Sequence, residues 1–238
     1  MKLSRISFLF LSLFLFVPSV ALAQKKEILW DFRKDEIKTQ KYSKAETNIV
    51  LKYLLGNQRN AELEITRRVA GSFIKANANE TLYYIAGCEE DEGFTTPTDC
   101  SHANWWNAGW VAIYDGTTPK MKIKAALGSD IARITDINND GINEILSLGV
   151  WSGQGVNLVG AIFGQIVNDK YKEIKTFRGY SDTCLVQEKA RRFANATVIS
   201  YVPSLNGTPT FSQEYFQNRC GNTAWKKITK KQFESVEW

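Results

Sequence analysis

The sequence predicts a mainly β, antiparallel domain with one short N-terminal helix, and three observations carry that prediction. Nine short runs rich in β-branched and aromatic residues follow one another between Glu62 and Val202. Turn signals separate them at Asp115-Gly116, Asn139-Asp140-Gly141, Asn168-Asp169 and Asn206-Gly207. Helical periodicity is confined to one stretch near the N-terminus, and no low-complexity tract divides the chain.

Composition sets the limits. Of 238 residues, 44% are hydrophobic and 12% aromatic, enough apolar mass to bury a core and to exclude disorder. The formal charge is +5; Lys2 and Arg5 fall in the expected leader, which leaves 28 basic against 25 acidic side chains, or +3. That balance is too mild for a nucleic-acid footprint. A single His, His102, excludes histidine-rich metal sites.

Met1 to Ala23 reads as a secretory signal peptide. Lys2 and Arg5 start it, the run Phe8 to Val17 is its apolar centre, and Ala21-Leu22-Ala23 supplies a small-x-small cleavage site. The apolar run is about half of the roughly 20 residues that span hydrocarbon, and no later stretch reaches that length. The expected product is residues 24–238, one β-rich domain without a membrane span, secreted or periplasmic. In an oxidising compartment the four cysteines form an even set that argues for two disulfides. Three pairings are open; Cys88–Cys100 and Cys184–Cys220 are favoured, because each pair flanks a polar, turn-rich stretch.

Ser43-Lys44-Ala45-Glu46 spells a capping box, with Ser43 at N-cap and Glu46 at N3. Ile49, Val50, Tyr53 and Leu54 follow at helical spacing and Gly56 is a stop, so a helix is expected at about 44–55. The strands expected after it are 62–69, 81–87, 110–114, 121–125, 131–135, 145–150, 158–167, 171–177 and 197–202.

The densest chemistry lies at 136–144, where Asp136, Asn138, Asp140, Gly141 and Glu144 have the spacing D-x-N-x-D-G-x-x-E. A hard cation such as calcium takes six to eight oxygens. Side-chain oxygens at positions 1, 3 and 5 of a tight loop converge on one point. Gly141 permits the sharp turn, the Ile142 carbonyl can add an oxygen, and Glu144 closes the set. The competing reading is a metal-free turn, since Asn, Asp and Gly make turns unaided. An EF-hand fails, because its twelfth position is Ser147 and strands flank the loop.

The run Ile134 to Leu146, strand–loop–strand, resembles the blade consensus of the FG-GAP/VCBS type of integrin-α-like propeller repeat. The resemblance implies a propeller-like fold with one structural calcium on Asp136, Asn138, Asp140, the Ile142 carbonyl and Glu144. Glu144 stands where the family usually shows Asp. A shift of 64 residues lays Ser72–Leu82 over Asp136–Leu146, with Asn79, Glu80 and Leu82 on Asn143, Glu144 and Leu146. The earlier copy has Ser72, Ile74 and Ala76 at the oxygen positions and reads as metal-free. At that spacing the chain holds few units, so a truncated or few-bladed propeller is expected, with a β-sandwich as the alternative.

Other features are weaker. Glu89 to Glu92 form an acidic loop. His102, Trp105 and Trp106 could make a surface for a glycan or protein ligand. Nucleophilic catalysis would need His102 with a Ser and an Asp, yet no Gly-x-Ser-x-Gly elbow is present. Ser152 to Gly155 is a glycine-rich turn without a phosphate-binding Lys, and Lys226, Lys227, Lys230 and Lys231 read as a solvated basic face. The expected function is therefore a calcium-stabilised binding protein with no catalysis. An extracytoplasmic hydrolase acting on glycan or peptide is the alternative. Oligomeric state is open. The leader reading makes one prediction: N-terminal sequencing of the exported protein begins at Gln24, and a product beginning at Met1 contradicts it.

Overall fold

The structure, a computed structural model, describes residues 25–56, 63–90, 93–95, 109–125, 127–153, 155–185, 192–203 and 209–235, with 88–90 and 93–95 described by their backbone. The leader, Cys100, His102, Trp105, Trp106 and Asn206-Gly207 lie outside the described residues, and Cys88 is placed by its backbone only.

Helix α1 spans Lys44–Leu55. The Ser43 hydroxyl accepts the Glu46 N–H at 3.1 Å, and Gly56 ends the helix at φ +60°. The Glu46 carboxylate does not return to Ser43; it accepts from Arg68 at 2.8 Å instead, because a full charge pair outweighs a neutral N–H. The buried stripe is Val50, Leu51 and Leu54, whereas Ile49 is 63% exposed. Leu51 thus takes the place in the stripe that the periodicity gave to Ile49.

That stripe packs on Ile85, Ala112 and Tyr114, with Leu63 and Ile65 filling in beside them. These belong to a four-stranded antiparallel sheet. Its strands are β2 (Arg67–Gly71), β3 (Glu80–Ala86), β6 (Gly109–Asp115) and β7 (Thr118–Lys124), in the order β2-β3-β6-β7. A short hairpin, β4 (Cys88–Glu90) and β5 (Gly93–Thr95), lies between β3 and β6 in the chain. The strand expected at 62–69 begins only at Arg67.

The second sheet is larger and strongly curled. It is an antiparallel meander of β8 (Asp130–Thr135), β9 (Glu144–Gly153), β10 (Val156–Val167), β11 (Lys170–Asp182), β12 (Phe193–Val202), β13 (Thr210–Arg219) and β14 (Lys226–Ile228). Left-handed Asn168 and Asp169 (φ 50° and 59°) make the two-residue turn between β10 and β11. β12 shares one edge between two partners: Ala194–Ala196 pair with β11, and Val198–Tyr201 pair with β1 (Glu27–Asp31). On the far side of β1, Arg133 of β8 donates to the Ile28 and Leu29 carbonyls at 2.8 and 3.1 Å. The sheet is thereby rolled into a half-barrel. Gly179 allows the roll, because the Phe32 ring occupies the space a Cβ would need.

Two further apolar cores accompany the one under α1. Leu29, Ile137, Leu146, Phe163, Phe177 and Ile199 fill the inside of the curl. Phe73, Leu82, Tyr84, Ile113, Ile131 and Ile145 fill the space shared by the two sheets. At one end the sheets are tied by Arg67 (5% exposed), whose Nε donates to Asp130 at 2.9 Å and whose Nη1 donates to the Lys38 carbonyl at 2.8 Å.

The chain is mainly β, as expected; among the described residues are the curled sheet, the four-stranded sheet, the β4–β5 hairpin and two helices. β1, β4, β5, β13, β14 and α2 (Lys230–Glu234) were not anticipated from the sequence. β13 reads Thr-Phe-Ser-Gln-Glu-Tyr-Phe-Gln-Asn-Arg, too polar for a half-buried strand by pattern alone. The lysine pairs lie on β14 and α2: Lys227 meets Glu214 at 2.7 Å and Lys230 meets Glu234 at 3.5 Å. A capping box between Thr229 and Gln232 starts α2.

The disulfide Cys184–Cys220 is present, as expected, and joins the ends of β11 and β13 across β12, at a sequence separation of 36. Loop closure over that separation is worth about 4 kcal/mol. Replacing both cysteines by serine should lower the unfolding free energy by about that amount, seen as a lower urea midpoint, with a slope that does not decrease because the unlinked unfolded chain exposes more surface. An unchanged midpoint would show that the bond does not restrain the chain.

Candidate metal centre

The loop between β8 and β9 is built by its own carboxylates. Asp136 accepts the N–H groups of Asp140 and Gly141 at 3.2 and 2.9 Å. Asn138 Oδ1 accepts the Asp140 N–H at 3.0 Å, its Nδ2 donates to Asp140 Oδ2 at 2.9 Å, and Asp140 Oδ1 accepts the Ile142 N–H at 2.8 Å. Short polar side chains bonding the backbone a few residues on are the natural closure of such a turn. Asn139 (φ 57°) and Gly141 (φ 84°) supply the left-handed steps.

Glu144 opens β9 and is fully buried. Its Oε2 accepts the Ile137 N–H at 2.9 Å, while Oε1 has no hydrogen-bond partner. Burial pushes the Glu144 carboxyl up to about 7 against the pull of the Ile137 N–H, and the charges of Asp140 and Asp136 add to the rise.

The loop between β2 and β3 is the same device. Glu80, 5% exposed, opens β3 and accepts the Phe73 and Ile74 N–H groups at 2.6 and 2.8 Å. The two hairpins match at the 64-residue offset. Gly71 pairs with Glu80 as Thr135 pairs with Glu144, Ala70 with Thr81 as Ile134 with Ile145, and Val69 with Leu82 as Arg133 with Leu146. Left-handed Asn77 (φ 57°) corresponds to left-handed Gly141. A β-bulge in β8 between Ile131 and Arg133 ends the correspondence.

The two loops also clasp one another. Ser72 N–H donates to Asn143 Oδ1 at 2.7 Å, Asn143 N–H to the Ser72 carbonyl at 2.6 Å, and Asn77 N–H to the Gly141 carbonyl at 2.9 Å. A Cβ on Gly141 would come within 3.0 Å of Ala76 and Asn77. The sequence pattern marked the offset between the loops but held no sign of this contact.

The difference between the copies bears on a cation. Glu80 binds two N–H groups through one carboxylate oxygen in a loop with no other carboxylate, so its role is loop closure. Glu144 binds one N–H and leaves its other oxygen buried and bare beside two aspartates, an arrangement a bound cation would satisfy. Asp136, Asn138, Asp140 and Glu144 are thus brought to one loop, and their oxygens fit calcium chemistry. Among the described residues no group of three or more His, Cys, Asp or Glu side chains is gathered closely enough to hold a metal ion.

A second feature escaped the sequence reading. A groove of about 560 Å³ lies on β9, β10 and β11, lined by Trp151, Leu158 and Ile162 over Gly149 and Gly160. Two glycines 11 positions apart signal nothing until the register sets them opposite each other.

Without a cation, the folded chain favours protonated Glu144, and an unfolded chain titrates near the ordinary value of 4.5. That contribution is complete below about 4.5 and is lost as the pH rises through about 7. In chelator the thermal midpoint should therefore fall between about pH 4.5 and 7, and Glu144→Gln should flatten the fall. A flat profile in the parent contradicts this. No protein-family model, curated protein or solved structure matches the chain.

Proposed function

We propose that this chain is an exported binding protein without catalytic activity, braced by one structural calcium at Asp136, Asn138, Asp140, the Ile142 carbonyl and Glu144. The observation that carries the reading is the buried, unpartnered Oε1 of Glu144 beside the aspartates of its own loop. Bound there, calcium would supply positive charge that favours the ionised form of Glu144. The clasp through Asn143, Ser72 and Asn77 would pass that rigidity from the curled sheet to the four-stranded one.

The duplicated hairpins support relating the chain to the FG-GAP/VCBS type of repeat. Each opens a run of four antiparallel strands, β2-β3-β6-β7 and β8-β9-β10-β11. In this reading the chain holds two propeller-like units, the second extended by β12, β13 and β14.

Binding rather than hydrolysis is favoured by the surface chemistry. A glycosidase needs two carboxylates facing one bond; among the described residues the groove on β9–β11 brings one, Glu173.

The test is the thermal midpoint of the 24–238 protein in EDTA and in calcium, beside Asp140→Ala. At about 100 times the dissociation constant, calcium adds about 2.7 kcal/mol, a rise of roughly 5–10 °C for a chain of this size. The loss of the Asp140 turn bond lowers both midpoints of the variant, so the readout is the calcium-dependent difference. A difference in the parent that vanishes in Asp140→Ala supports the site. No difference in the parent, or one that survives in the variant, overturns it.

A further inference from the structure

We propose that the groove on β9, β10 and β11 is a binding site for a neutral, pyranose-containing oligosaccharide. This names a ligand for the binding role proposed above and rests on that role. The face in question is the one that Ile145 and Ile166 present to the four-stranded sheet. Farther along β9 and β10 that sheet no longer covers it, and the apolar face opens as a trough of about 560 Å³, within the range of small-ligand sites.

The floor is bare backbone. Gly149 and Gly160 sit opposite one another across β9 and β10, and a Cβ on Gly160 would meet only the Phe177 carbonyl oxygen, at 3.6 Å. Next to them Trp151 pairs with Leu158. The indole lies across Gly153, where a Cβ would come within 2.9 Å of its six-membered ring. An indole backed in this way offers its other face as a platform, and the glycine floor lets a flat ring approach.

Among the described residues, the polar side chains that line the trough stand along one side. Ile162 faces Thr176 and Gly160 faces Arg178 across the β10–β11 ladder, with Glu173 opposite Gly164 on the same side. All three rim residues are exposed. Thr176 Oγ1 donates to Glu173 Oε1 at 2.5 Å. A carboxylate acceptor, a guanidinium donor and a hydroxyl suit the hydroxyl edge of a sugar, and one charge of each sign suits a neutral one. An acyl chain would leave this rim unused. A peptide added as a strand needs a free edge; β10, the middle of the trough, is paired on both sides. A strand could add only at the outer edge of β11, where β12 pairs at 180–182 alone, and would leave the trough itself empty.

The experiment is calorimetric titration of the 24–238 protein with cellohexaose, chitohexaose and maltohexaose, in calcium and in EDTA. Trp151→Ala and Gly160→Val are titrated alongside. Gly160 has no positive φ, so valine fits its extended backbone and fills the trough without straining the strand; an unchanged thermal midpoint checks this. One of the three sugars should bind the parent, and each variant should weaken binding about tenfold or more. No binding to any of the three overturns the proposal, as does undiminished binding in both variants. Saturable binding of dodecanoate in place of a sugar, or a dimer in sedimentation that Gly160→Val abolishes, would also overturn it. The calcium-dependent midpoint of the same samples reads the loop separately, so failure of the groove and failure of the cation site are told apart.

Discussion

The clasp between the 72–80 and 136–144 loops is the contact on which the relation of the two sheets depends. Three hydrogen bonds cross it, two between backbone groups and one from Ser72 N–H to the Asn143 side chain. Each loop is held in shape from beneath by a buried glutamate, Glu80 or Glu144, that takes up N–H groups the turn would otherwise bury unpaired. Without those carboxylates the loops would have no fixed shape to present to each other. The Arg67–Asp130 pair ties the same two sheets at their other end, so the shared core is clamped at both limits.

The curl of the larger sheet follows from a contest for one strand edge. β11 runs for 13 residues but keeps β12 only over its last three. β1 takes the remaining edge, and its own outer carbonyls are satisfied by Arg133 rather than by another strand. A side-chain donor can reach around a bend where a straight ladder cannot, and it also covers an edge that would otherwise template association. The same roll leaves the opposite face of β9 and β10 uncovered beyond the four-stranded sheet, which is why the groove exists.

The two glutamates show how one local device acquires different chemistry. Both start a strand at the same register and both accept from the backbone at the head of their loop. Around Glu80 the neighbours are Ser72, Ile74 and Ala76, and the carboxylate spends one oxygen on two donors. Around Glu144 they are Asp136, Asn138 and Asp140, and burial beside like charge raises its affinity for a proton or a cation alike. Loop closure is common to both copies; the electrostatic demand belongs to one.

Local chemistry was legible in the sequence by itself. The helix at 44–55 and its Ser43 cap, the Asn-Asp and Asp-Gly turns, nine of the strands and the 64-residue echo depend on residues close in sequence or on a regular spacing, whereas the Cys184–Cys220 pairing was favoured among three and decided by the fold. Tertiary structure alone decided what depends on partners far apart in the chain. It brought Leu51 rather than Ile49 onto the sheet, because the helix rotates to bury what fits against Tyr114 and Ile85. It made strands of β1 and β13, whose polar residues become acceptable once β12 lies between them. It set Asn143 against Ser72, and Gly149 against Gly160 beside the Trp151–Leu158 pair. Short-range periodicity records which faces are apolar, but which faces meet, and which is left open, is set by packing between elements that no local pattern encodes.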